Sequence, residues 1–173
     1  MEVSFVRSQG SKDRIYVRRT NGTEVSWVFS SFGNYIPHDL AHLVVEAAFG
    51  LRQGFWGRVD AGVDPGRVNA DANRLGGPDK FAAYGPDQVE LMVAEFLANT
   101  RWGDSDLPDE NLSAEILRNC PMLTPFTTER IAQVRRTLDS LCGRWIELVP
   151  KGAIRVQVDF GDLERSFFEL SRL

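Results

Sequence analysis

The sequence predicts an α+β domain in which about four antiparallel strands pack against three or four helices. Three observations carry that expectation: short alternating segments around Asn21-Gly22, several amphipathic segments at helical spacing through the middle of the chain, and one further alternating segment near 154–160. The 173 residues, 43% hydrophobic and 25% charged, fit a single domain over 1–173 with enough chain to bury a sizeable core.

The elements follow in order. Val3, Phe5 and Arg7 alternate with Ser4 and Val6, and Ile15–Arg19 and Val25–Phe29 flank Asn21-Gly22. That dipeptide favours a two-residue type I′ turn, so a three-stranded N-terminal meander is expected. Pro37 then opens a helix over about 37–51, because proline at the first helical position loses no hydrogen bond. Leu40, Leu43, Val44, Ala47, Ala48 and Leu51 form its apolar stripe. Residues 50–86 hold eight of the 15 glycines. The reading there is a long glycine-rich loop or insertion over 52–86, with a short helix near Phe55–Val59. Phe55-Trp56 reads as core or as the mouth of a pocket.

Asp87 and Glu90 form a capping pair for a second helix that is apolar on most sides. A short helix near 109–119 stops before Pro121. A longer one runs from Thr127 to about Leu148 on the stripe Ile131, Val134, Leu138, Leu141, Cys142, Trp145 and Leu148, with Arg130 and Arg136 on a solvated face. Ile154, Val156, Val158 and Phe160 form a C-terminal strand with one wet face, and Leu163–Leu173 reads as a short terminal helix.

Composition excludes several functions. A net charge of −4 gives no general attraction to nucleic acid or to an anionic membrane. No apolar run of about 18 residues is present, and the first residues lack the pattern of a leader, so a cytoplasmic protein is expected. Cys120 and Cys142 then read as reduced thiols, Cys142 as a buried one. Arginine far outnumbers lysine, as GC-rich bacterial genes tend to encode. Phosphate-loop, dinucleotide-binding and Gly-x-Ser-x-Gly patterns are all absent. The partner is left as a small molecule or a protein.

One constellation carries chemistry. The only histidines, His38 and His42, lie four apart on the first helix, with Glu46 four further on. At about 100° per residue the three occupy roughly 80° of arc, opposite the core stripe. Ala41, Val45 and Phe49 make the rest of that side apolar, so the helix is expected to be covered on both sides. Buried imidazoles and carboxylates need partners, which a metal ion, a mutual hydrogen-bond network or a ligand would each supply.

His38-Asp39-Leu40-Ala41-His42 resembles the H-E-x-x-H helix of zinc metallopeptidases, with Asp in place of Glu. The resemblance implies zinc or another transition metal on His38 and His42, and Asp39 as general base toward a bound water. It covers five residues and departs at Asp39, which is one methylene shorter, and in the lack of a third histidine. The wider string from Ile36 to Glu46 resembles a motif of small bacterial proteins and implies no activity. Glu46 is the nearest carboxylate for the remaining ligand or for the base. Residues 38 and 46 are about 12 Å apart along the helix, so one ion spans either His38 with His42 or His42 with Glu46. A ligand from the glycine-rich segment (Asp60, Asp64, Asp71 or Asp79) would complete the set. Two functions follow as expectations. One is metal-assisted hydrolysis. The other is a non-catalytic binding or interaction module in which the His/Glu row is a buried hydrogen-bond network.

Overall fold

A computed structural model describes residues 1–8, 12–30, 33, 35–75, 81–123 and 126–172; the side chains of 72–75, 83, 87, 167 and 170–172 lie outside that description. The strands are β1 (Glu2–Val6), β2 (Lys12–Arg18), β3 (Glu24–Ser30), β4 (Gly152–Gln157) and β5 (Phe167–Arg172). The helices are α1 (His38–Phe49), α2 (Phe55–Asp60), α3 (Pro65–Leu75), α4 (Gln88–Ala98), α5 (Asp109–Asn119) and α6 (Thr128–Glu147), with a 3-10 segment at Ala82–Asp87. The architecture is α+β, as expected. Among the described residues no helix is long and apolar enough to cross a membrane.

The sheet has five strands rather than about four, all antiparallel, in the order β3-β2-β1-β4-β5. Its register builds the core directly. Val3 faces Val17 on one side and Val156 on the other, and Phe5 faces Ile15 and Ile154. These six side chains are at most 2% exposed and pack with α1, α2, α4, α5 and α6 residues into one cluster.

Several local expectations change. The β2–β3 connection is a three-residue turn, not type I′: Gly22 donates to the Arg19 carbonyl, Arg19 to that of Thr23, and Gly22 alone has a positive φ (84°). The Asn21 carboxamide oxygen accepts from the Thr23 N–H and hydroxyl, which closes the turn without forcing Asn21 left-handed. Residues 65–75, expected as loop, form α3. Asp64 caps it by accepting from Arg67 N–H at 3.0 Å, and Pro65 sits at its first position. The Gly76-Gly77-Pro78 loop expectation lies outside the described residues. Beyond Leu163 the chain adds an edge strand, β5, because pairing with β4 satisfies its backbone groups where a terminal helix was expected.

Another change is Arg130, which leaves the solvated face and donates to the Ala48 carbonyl near the C-terminus of α1, joining α6 to α1. Cys142, expected as a buried thiol on the core stripe, is only half-buried, whereas Cys120 is 2% exposed and its thiol is pushed up by burial.

Candidate metal centre

α1 is the helix that positions the site. It starts after Pro37 and ends at Gly50, whose left-handed φ of 68° lets its N–H return to the Glu46 carbonyl. Every residue from Leu40 to Ala48 is buried, because α2, α4 and α6 pack on different sides of it. Of the row on α1, His42 and Glu46 are therefore enclosed, 7% and 0% exposed, while His38 lies at the accessible end.

The two flanks of His42 differ. Its Nδ1 faces Glu46 Oε1 at 3.4 Å, one turn along α1. Its Nε2 faces Glu95 Oε2 on α4 at 3.6 Å. Nδ1 is buried and its geometry toward Glu46 falls short of a full hydrogen bond. Burial works against charge on the imidazole, but the Glu46 and Glu95 carboxylates outweigh it and hold His42 up at about 9. The His38 ring meets the His42 ring edge-on, with centroids 4.7 Å apart.

One ligand atom from each of His38, His42 and Glu95 lies within 4.8 Å of the other two. Donors around a tetrahedral ion at about 2.0–2.1 Å sit roughly 3.3 Å from one another, so the group would have to draw in from its present spacing to hold one ion. The donor set is two imidazoles and a carboxylate, with His38 reaching the solvent-accessible side.

Glu46 stands outside that group. Its oxygens accept the backbone N–H groups of Phe55 (3.1 Å) and Trp56 (2.8 Å), the first residues of α2. It caps α2 across space and faces the first-turn N–H groups, where negative charge is favoured. Burial nonetheless pushes its carboxyl up, against the opposing pull of His42 and these N–H groups. The room for it comes from Gly54, where a Cβ would sit 2.5 Å from Glu46 Oε2.

Asp39 is also largely enclosed. Burial raises its carboxyl, while His42, His38 and the nearby Trp27 indole favour its charged form. Its backbone carbonyl accepts the Trp56 indole N–H at 2.8 Å. Phe55 and Trp56 belong to the core, 8% and 0% exposed, in an aromatic group with Trp27 and Phe5.

No family model matches the chain, nor does any curated protein or solved structure. The metallopeptidase likeness gains no support from them; the geometry shows only that His38, His42 and Glu95 come close enough to hold one ion.

Three of the four carboxylates expected from 52–86 are committed elsewhere. Asp60 accepts from the Thr20 N–H (2.7 Å) and hydroxyl (2.8 Å), Asp64 caps α3, Asp71 accepts from the Tyr84 hydroxyl, and Asp79 lies outside the described residues. Glu95 joins the histidines instead. Its signal was present in the sequence: it is a carboxylate on a helix apolar on most sides, which requires a partner. Its neighbour Glu90 was expected to cap α4 with Asp87. It accepts from the Gln53 N–H at 2.6 Å, and the Asp87 side chain is outside the description.

Proposed function

We propose that this protein binds one divalent transition ion, zinc first among them, through His38, His42 and Glu95, and that it hydrolyses an ester or amide there. The observation that carries the reading is the convergence of two imidazoles from α1 and one carboxylate from α4 within 4.8 Å. Two histidines and a glutamate, with a further position left to water or substrate, are a donor set suited to such an ion. The ion would polarise the substrate carbonyl and acidify water.

The chain's own groups divide the remaining work. Glu46, 3.4 Å from Nδ1, attracts that side of the His42 ring and so favours the orientation in which Nε2 faces Glu95; such outer carboxylates set ligand geometry. It thereby acts as a positioning residue rather than as ligand or base. Asp39, close to both imidazoles, takes the proton of the attacking water. It returns that proton to the departing oxygen or nitrogen as the carbonyl C–O or C–N bond breaks.

A second reading has its own support. The hold of Glu46 on Phe55 and Trp56 would stabilise the fold with no ion at all, as in a non-catalytic module with a buried network.

Elemental analysis of the purified untagged protein separates the two. About one equivalent of zinc or another transition metal, lost in His42→Ala, supports the metal centre. Absence of metal after incubation with zinc and desalting overturns it and leaves the network.

A further inference from the structure

A surface groove of about 510 Å³ is lined by Phe81, Met92, Glu95, Phe96, Asn99 and Arg101 among others. Glu95 belongs both to this lining and to the His38/His42 group. Its carboxylate is divided between them, since Oε2 faces His42 at 3.6 Å while Oε1 accepts from the Asn99 carboxamide at 3.3 Å. The groove thus runs up to the candidate centre through one side chain.

One part of its lining is apolar. Phe81 is 4% exposed, Phe96 is half-buried, and Met92 is 42% exposed. Val89, 43% exposed, lies one turn before Met92 on α4 and continues the apolar strip outward. Arg101, at the polar end, is paired with Asp104 at 3.1 Å, so its charge is already answered within the protein. A volume of this size suits a small organic group, and a flexible thioether beside two phenyl rings suits an apolar one.

We infer that this groove holds the apolar acyl part of the substrate, so that the protein acts on esters or amides of medium-length or aromatic acids. The inference rests on the metal reading above. The scissile carbonyl lies at His38, His42 and Glu95, and the acyl chain runs along α4 past Phe96 and Met92. Selectivity comes from apolar burial: each methylene taken out of water is worth about fourfold in affinity.

The test uses hydroxamates, which chelate a protein-bound zinc through their own two oxygens. Acetohydroxamate and octanohydroxamate are titrated calorimetrically into the zinc-loaded full chain, after zinc content is measured. Octanohydroxamate is expected to bind at least roughly tenfold tighter, which needs only about two buried methylenes. Met92→Glu, at an exposed position, should abolish most of that gain and leave zinc content and acetohydroxamate affinity unchanged. Equal affinity of the two probes on a zinc-loaded chain overturns the groove inference and leaves the metal centre standing. A tighter octanohydroxamate that ignores Met92→Glu also overturns it. Failure to hold zinc removes both.

Discussion

Gly54→Ala is a small change that the geometry makes expensive. Gly54 has φ −68° and ψ −173°, a conformation alanine adopts freely, so backbone strain plays no part. The new Cβ would stand 2.5 Å from Glu46 Oε2 and 2.6 Å from its carboxyl carbon, where ordinary contact begins near 3.4 Å. The carboxylate must move by about an ångström. That breaks its 2.8 Å bond from Trp56 N–H and loosens the 3.1 Å bond from Phe55 N–H. Bonds to a charged group contribute about 1.5–3 kcal/mol each, and both donors are buried. The expected loss is about 3 kcal/mol, or about 6–12 °C in Tm for a chain of this length. Combining it with Glu46→Ala isolates the cause. With the carboxylate gone the same methyl enters vacated space and should cost under about 1 kcal/mol, a coupling of about 2 kcal/mol or more. Urea unfolding of the four proteins, kept metal-free, measures the cycle. A neutral Gly54→Ala, or one equally costly in both backgrounds, would refute the placement of Glu46.

The remaining predictions address the same region and one distant contact. His42, held at about 9 in the fold against 6.5 when unfolded, contributes stability that is fully present below pH 6.5 and is lost as pH rises through 9. Metal-free protein in chelator should therefore unfold at lower urea at pH 9 than at pH 6.5; a rising midpoint would contradict this. Glu95→Gln should weaken zinc about 10–100-fold in competition with a coloured chelator, because a charged donor becomes a neutral amide; unchanged affinity would remove Glu95 from the ligand set. Asp60→Ala frees the Thr20 N–H and hydroxyl at the β2–β3 turn and should cost about 1–2 kcal/mol in urea, with zinc binding untouched.

Particular residues explain how much of this was legible beforehand. The meander and α1 were readable because alternation and an i, i+3, i+4 stripe are local patterns that burial enforces. β5 was not, since a short edge strand is defined by its pairing with β4 more than by its own composition. For α3, the count of glycines outweighed the sharper Asp64-Pro65 start signal. At the site, the row His38, His42, Glu46 was visible as a row, but the division of labour within it was not. Which side of the His42 ring meets which carboxylate depends on α4 crossing α1, and on Gly54 letting α2 begin against Glu46. No spacing rule along one helix contains that information.

The strand order has a consequence for synthesis of the chain. β1 is the middle strand, bonded to β2 on one edge and to β4 on the other. While the polypeptide leaves the ribosome, the meander can close early, but the second edge of β1 waits for Gly152–Gln157. Through that interval Val3 and Phe5 belong to a ribbon with one open side, which is a template for pairing with another nascent copy. The sheet therefore completes only once β4 is available, through a long-range closure that slows folding. A truncation ending before Gly152 is expected to express as aggregates, which sedimentation of the lysate would reveal, however well its first 30 residues form.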